Sequence, residues 1–354
     1  MSEKYLMKGN ESLAEAAIMA GCRYFFGYPI TPQTELAAYM SKRMPKVGGT
    51  FLQAESEIAA INMVIGASSA GKRVMTSSSS PGVSLKSEGI SYLAGMDLPA
   101  VIVNIQRGGP GLGGIQPAQS DYFQATKANG HGDFRVLVFS PSTVQEMVSL
   151  TFDAFDLSDL YRMPAMILGD GILGQMMEPV EFSAKGRTDL PPKDWAATGT
   201  GEKRKRNIVN SLYLNPDELE IKNFERFKRY ENIKENEQRC EELLTEDADI
   251  IVVAFGAAAR IAKNAIHAAR AKGIKAGLIR PITLWPFPEK ALANRAKTAK
   301  AFLTAELNMG QMIYDVKLAI ECRRPVTLVN RTGGMVFTPD EILAGIERAQ
   351  GGID

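Results

Sequence analysis

Apolar and polar positions follow two rhythms in the first half of the chain. Short continuous apolar runs at residues 23–26, 74–75, 100–105, 136–139 and 165–168 read as buried strands. The stretches between them carry apolar residues at helical spacing. Leu13, Ala16 and Ala17 follow Asn10, a candidate cap, and Gly21 ends that turn of chain. Ile58, Ile61, Val64 and Ile65 follow Glu57. Thr31-Pro32 reads as a cap and first-turn proline opening a helix through Met40. A further helix runs from the Ser77–Ser80 run to about Ala94, and another opens after Ser142. Strands alternating with helices predict an α/β fold, a parallel sheet covered on both faces.

The rhythm stops near Phe182. Pro191-Pro192 and a charge-rich stretch over 202–242 read as an exposed linker, helix-compatible over 216–244. Alternation resumes at Asp249, with strands at 250–254, 275–279, 301–304 and 326–329 and helices at 258–271 and after Gly310. The expected organisation is a first α/β domain over 1–185, a charged, partly helical linker over 186–245, and a smaller α/β domain over 246–354.

Composition narrows the function. Lys and Arg total 41 against 40 for Asp and Glu, a balance that disfavours a dedicated nucleic-acid or membrane-surface protein. No uncharged apolar run approaches the length of a membrane span. Met1-Ser-Glu-Lys4 leads into no apolar stretch, so no secretory leader is expected and the reducing cytoplasm is the expected compartment. Cys22, Cys240 and Cys322 lie far apart, a spacing that suits neither a disulfide framework nor an iron–sulfur cluster held by this chain alone.

Gly109-Pro-Gly-Leu-Gly113-Gly114 matches GxGxxG after an apolar strand. Pro110 removes a backbone donor and Pro117 interrupts the chain just beyond, so a ligand-covering or flexible loop is the better reading than a dinucleotide site. Gly169-Asp-Gly171 is similar to the start of a metal–diphosphate motif, but no Asn-Asn pair exists in the chain to complete it. A strand-end turn is expected there. Lys203-Arg-Lys-Arg206 sits among charges of both signs and reads as a solvated face. His131, between glycines, suits a proton shuttle or a turn equally well, and His267 reads as a surface residue.

The strongest candidate is a constellation. Thr31 follows a strand, Glu57 opens a helix and Arg107 ends a buried strand. Strand C-termini and helix N-termini of such a sheet share one edge, where ligands bind. A hydroxyl, a carboxylate and a guanidinium are therefore expected to converge. The alternatives are a first-turn glutamate facing the helix dipole and a surface salt bridge.

Three segments carry a family resemblance: Tyr28-Pro29-Ile30-Thr31-Pro32, Gln53-Ala-Glu55-Ser-Glu57-Ile-Ala-Ala60 and Gln106-Arg107-Gly-Gly-Pro-Gly-Leu-Gly-Gly-Ile-Gln-Pro117. They resemble the α-type, pyrimidine-domain subunit of the 2-oxoacid:ferredoxin oxidoreductases. Arg280-Pro-Ile-Thr-Leu-Trp-Pro-Phe287 is similar to the transketolase C-terminal domain. The resemblance covers essentially the whole chain. The glycine loop and Ser77-Ser-Ser-Ser-Pro81 are most similar to the 2-oxoisovalerate (3-methyl-2-oxobutanoate) branch.

The resemblance implies a thiamine diphosphate-binding fold and a CoA-acylating oxidative decarboxylation of branched-chain 2-oxoacids. Glu57 is then the carboxylate at N1′ of the aminopyrimidine, with Glu55 as alternative. Arg107 is the arginine for the substrate carboxylate, and Thr31 the threonine near cofactor and substrate oxygens. Tyr28, Pro29 and Ile30 line the cofactor side. The missing Asn-Asn pair implies that diphosphate and Mg²⁺ sit on a β-type partner. The cysteine count implies 4Fe-4S clusters on partner chains, with a γ-type subunit, a ferredoxin-like cluster subunit and ferredoxin completing the system and coenzyme A as cosubstrate. The rivals are the 2-oxoglutarate branch, a β-type subunit of a lipoate-linked 2-oxoacid dehydrogenase, and a non-catalytic scaffold.

Overall fold

The computed structural model describes residues 3–352 apart from 128 and 185. In chain order the first region contains β1 (Tyr5–Lys8), α1 (Gly9–Met19), β2 (Tyr24–Gly27), α2 (Thr34–Arg43), β3 (Thr50–Gln53), α3 (Glu57–Ser69), β4 (Val74–Ser78) and α4 (Ser80–Gly95). It continues through β5 (Ala100–Gln106), α5 (Tyr122–Thr126), β6 (Leu137–Phe139), α6 (Val144–Tyr161), β7 (Pro164–Asp170), α7 (Gly171–Gln175) and β8 (Met177–Val180). Strand β5 shows why the sheet is central. All of its residues are buried, Val101, Ile102, Val103 and Ile105 completely. Each such side chain contributes about 1.5–3 kcal/mol, and burial on both faces demands helices on both sides. The helix pairs α1/α6 and α3/α4 supply them.

After residues 181–215, which form no helix or strand among those described, come α8 (Pro216–Asn236), β9 (Cys240–Leu243), β10 (Ile250–Val253), α9 (Gly256–Ala271) and β11 (Ala276–Pro281). The chain ends with β12 (Thr283–Trp285), α10 (Glu289–Arg295), β13 (Ala301–Glu306), α11 (Met312–Ala319), β14 (Val326–Asn330) and α12 (Pro339–Gly351). The smaller sheet has five strands in the order β14-β13-β10-β11-β9, all parallel except β9. The larger has seven in the order β12-β6-β7-β5-β4-β2-β3, all parallel except β12.

Several local expectations need correction. Residues 240–243 are not linker: they form β9, paired in antiparallel register with Leu278–Pro281 of β11. Thr283–Trp285 leaves its own region and pairs with β6, seating Trp285 against the buried Tyr230 of α8 with ring centroids 5.4 Å apart. A three-residue strand is too short for periodicity to reveal. Thr31 does not cap a helix. The Thr31-Pro32 peptide is cis and α2 starts later, at Thr34. Asn10 lies inside α1 rather than capping it, because its amide is drawn to the Pro32 carbonyl at 2.9 Å.

Candidate active site

The ends of β2, β4 and β5 and the starts of α3 and α4 meet at one edge of the larger sheet. The loop after β2 carries Tyr28, Pro29, Ile30 and Thr31. Tyr28, Pro29 and Thr31 are exposed and Ile30 half-buried. Side chains from four directions hold this loop. Gln33 is fully buried, donates to the Tyr28 carbonyl at 3.3 Å and accepts the Ser77 hydroxyl at 2.6 Å. Gln175 joins Asn10 on the Pro32 carbonyl at 3.2 Å. Arg107 Nη1 donates to the Thr31 carbonyl at 3.0 Å.

Glu57 is the first residue of α3, whose cap Ser56 accepts the Ala59 N–H at 3.1 Å. Its side chain is buried, whereas Glu55 is exposed. The carboxylate lies over the Cα of Gly82: a Cβ there would stand 2.6 Å from Glu57 Oε1 and 2.1 Å from Ser78 Oγ. Glycine at this place in α4 makes room for both oxygens. Ser78 Oγ is buried without a hydrogen-bond partner. The Glu57 carboxylate accepts no hydrogen bond from any described residue.

Arg107 directly follows β5 and is almost fully buried. Its Nη2 donates to the Leu112 carbonyl at 3.2 Å, and its Nε is buried without a partner. Its backbone N–H donates to Ser80 Oγ at 3.0 Å, and that hydroxyl donates to Asp121 Oδ2 at 2.5 Å. Asn104 completes the cluster, accepting the Ser80 N–H at 3.1 Å and donating to Asp121 at 2.9 Å. Burial pushes the Asp121 carboxyl up, against the Ser80 and Asn104 hydrogen bonds and the Arg107 charge. The first turn of α4 thus stands between the two candidate groups: Ser80 engages Arg107, and Gly82 faces Glu57.

The glycine run after Arg107 opens no helix. It folds back on itself, with Gly114 N–H donating to Gly108 O and Gly108 N–H to Gln116 O, both at 3.0 Å. Gly113 has φ +59°, and a Cβ there would lie 1.9 Å from the Gly108 carbonyl oxygen. Leu112 and Ile115 project from the loop into solvent. A cleft of about 680 Å³ runs from this loop past Ser80 and Asp121 to Met309, Gln311 and Thr332 of the smaller domain.

The remaining sequence candidates lie elsewhere. His131 is exposed, its ring edge-on to Tyr92 at 6.0 Å. His267 is exposed on α9, and Lys203 to Arg206 are all exposed. Asp170 of the Gly-Asp-Gly turn caps α7 through the Ile172 and Leu173 N–H groups at 2.9 and 3.1 Å, and accepts Ala257 N–H of α9 at 3.4 Å. Full burial raises its carboxyl to about 6, against those three N–H donors. Sequence reasoning passed over Gln33, Gly82 and Asp121, and took Ser80 only as part of the Ser77–Pro81 motif, with no role of its own. A glutamine, a glycine and an aspartate carry no signal until the fold brings them to Thr31, Arg107 and Glu57.

Comparison with known proteins agrees with this architecture. Residues 15–247 match the family described as pyruvate flavodoxin/ferredoxin oxidoreductase, thiamine diphosphate-binding, and residues 248–342 match pyruvate:ferredoxin oxidoreductase core domain II. The chain is 50% identical to the ketoisovalerate oxidoreductase subunit VorB of Methanothermobacter marburgensis, over 98% of each chain. It is 38% identical to the 2-oxoglutarate synthase subunit KorA of Methanothermobacter thermautotrophicus, over 97% of this chain and 98% of the relative. Among solved structures, a 2-oxoglutarate:ferredoxin oxidoreductase from Magnetococcus marinus, with 2-oxoglutarate, coenzyme A and succinyl-CoA bound, superposes with a TM-score of 0.86 at 29% identity. That match covers 100% of this chain and 66% of the other. A split-gene transketolase shares the fold, with a TM-score of 0.61 at 15% identity over 98% of each chain. Two consecutive family domains and near-complete coverage of relatives at half identity place this chain in the pyruvate flavodoxin/ferredoxin oxidoreductase family, as a subunit of a thiamine diphosphate-dependent 2-oxoacid:ferredoxin oxidoreductase.

Proposed function

We propose that this chain supplies the pyrimidine-side half of the active site of an enzyme that converts branched-chain 2-oxoacids, 2-oxoisovalerate foremost, to acyl-CoA and CO2 while reducing ferredoxin. The observation that carries the reading is the Glu57 carboxylate: buried, unbonded, over a glycine, and across the first turn of α4 from Arg107. A carboxylate desolvated in this way needs a donor, and the protonated N1′ edge of an aminopyrimidine is one. The residues present therefore fit that half of thiamine diphosphate. When bound, the cofactor supplies the electron sink for decarboxylation.

In this reading Glu57 holds and returns the N1′ proton. Arg107 fixes the 2-oxoacid carboxylate with the guanidinium donors that Thr31 and Leu112 leave free. The Thr31 hydroxyl orients oxygens beside it, and Tyr28, Pro29 and Ile30 shape the wall. A β-type partner would carry the diphosphate and its Mg²⁺, since this chain has no Asn-Asn pair. A γ-type subunit and a cluster-bearing subunit would pass single electrons from 4Fe-4S centres to ferredoxin, with coenzyme A accepting the acyl group. The complex is assigned to the cytoplasm; no helix among the described residues is long and apolar enough to cross a membrane.

The test is competition in the assembled complex, with viologen reduction as readout and CoA present. A higher kcat/KM for 2-oxoisovalerate than for 2-oxoglutarate supports the branch. The reverse preference keeps the reaction and overturns the substrate. Glu57→Gln should abolish exchange of the cofactor C2 proton with solvent deuterium; exchange at the wild-type rate would refute the role of Glu57.

A further inference from the structure

Lysine is almost never fully buried unless paired, yet Lys86 of α4 has no exposed surface. Its ammonium donates to Thr76 Oγ1 at 2.9 Å and to the Ser77 carbonyl at 3.3 Å, both on β4. No carboxylate among the described residues stands within ion-pair distance of it. An aliphatic side chain would fill the same space without the cost of desolvating a cation. What lysine adds is charge, and its place in α4 shows where that charge acts. Lys86 comes one helical turn after Gly82, so the two positions share a face, and Gly82 is the residue over which the Glu57 carboxylate lies.

We propose that Lys86 is a positioning residue for Glu57, a buried cation that supplies the counter-charge to the neighbouring carboxylate as it meets the cofactor pyrimidine. The proposal rests on the role assigned to Glu57 above.

The surroundings leave Glu57 as the natural counter-charge. Helix α3 carries Glu57 as its one charged residue, and β4 and β5 carry none. Asp170 at the end of β7 is taken by the helix starts of α7 and α9. Arg107 and Asp121 meet at Ser80, at the opening of α4. Glu88 is exposed and bonded to Tyr92, while His131 and Arg226 touch α4 near its far end, at Ser91 and Gly95. Burial lowers the Lys86 ammonium to about 8, against the Glu57 charge, which favours the protonated form. The ammonium is thus charged at neutral pH. The same ammonium bonds Ser77, whose hydroxyl supports Gln33 under the Thr31 loop.

The experiment compares wild type, Lys86→Met, Lys86→Gln and Glu57→Gln in the assembled complex. It measures the pH dependence of cofactor C2 hydrogen–deuterium exchange and the affinity for thiamine diphosphate. Lys86→Met removes charge and donors; Lys86→Gln removes charge but keeps a donor for Thr76. Both should move the acid limb of the exchange profile upward by about one pH unit, with the high-pH plateau kept within about threefold. An unmoved acid limb in both, while Glu57→Gln abolishes exchange, would overturn the role of Lys86 and leave Glu57 standing. Wild-type exchange in Glu57→Gln would overturn the Glu57 reading and this one with it. If Lys86→Met fails to assemble, Lys86→Gln decides alone. If the limb moves in Lys86→Met only, the lost hydrogen bond rather than the charge is responsible, and the proposal falls.

Discussion

Arg107 and Thr31 are 76 residues apart in sequence and meet through a 3.0 Å hydrogen bond from guanidinium to carbonyl. The bond ties the end of β5 to the loop after β2, so the group assigned to the substrate also shapes the wall that faces it. Arg107→Ala should therefore lose more than one charge. A hydrogen bond to a charged group contributes about 1.5–3 kcal/mol, so kcat/KM for the 2-oxoacid should fall about 10- to 150-fold. Most of that should appear in KM. Steady-state kinetics of the assembled complex checks it, and an unchanged KM would remove Arg107 from the substrate carboxylate.

Gly82→Ala places a methyl group 2.6 Å from Glu57 Oε1 and 2.1 Å from Ser78 Oγ. Overpacking of this kind costs about 1–3 kcal/mol, and the carboxylate must move. Thermal denaturation should show the loss, and cofactor C2 exchange should slow with it. Gly66, in the same layer, is the control: nothing lies within 4 Å of a Cβ there, so Gly66→Ala should stabilise the isolated chain by about 0.5–1 kcal/mol.

Asp170 gives a pH dependence of definite sign. Its folded-state carboxyl lies near 6, above the ordinary aspartate value of 3.8. The folded chain therefore binds the proton more tightly than the unfolded chain. This contribution favours the folded state at acid pH and is lost as pH rises from about 4 to about 6. The difference of about two pH units is worth about 3 kcal/mol. Asp170→Asn cannot titrate, so the stability of wild type relative to this variant should decline over that window and be flat above it. Denaturant unfolding at about pH 4, 5, 6 and 7 would show it; a flat difference throughout would refute the assignment.

Gln119 bridges the two domains with both its side chain and its backbone. The side chain donates to the Phe255 carbonyl at 2.8 Å and accepts Leu307 N–H at 3.2 Å, while the backbone meets Leu307 and Asn308. Gln119→Ala leaves the Leu307 N–H without its partner in a buried interface, at about 1–3 kcal/mol, while Phe255 O keeps the Ala259 N–H at 3.2 Å. A lowered melting temperature with faster proteolysis between the domains is the expected result.

The two domains' alternation of strand and helix was legible because fully buried strands write themselves as continuous apolar runs. Glu57 at a helix start and Arg107 at a strand end were legible for the same reason: each sits where the pattern switches. The supports were not. Asn10 and Thr31 both look like caps, since a cap and a long-range hydrogen bond use the same short polar side chains. Nothing local tells which partner wins when Pro32 O, 22 residues away, competes for the Asn10 amide. Lys86 looks like any helix lysine, because its burial is decided by β4 and not by its own helix. β12 escaped because its partner β6 lies far off in sequence.

That last strand makes the chain harder to divide than its two family domains suggest. Thr283–Trp285 forms the outer edge of the larger sheet, next to β6. A gene cut between the domains would produce a first fragment whose β6 ends in bare N–H and C=O groups, a sticky margin prone to self-association. The second fragment would carry an orphaned tryptophan, with its seat against Tyr230 gone. Inheritance, shuffling and laboratory fusion alike must therefore treat the two domains as a single stitched unit.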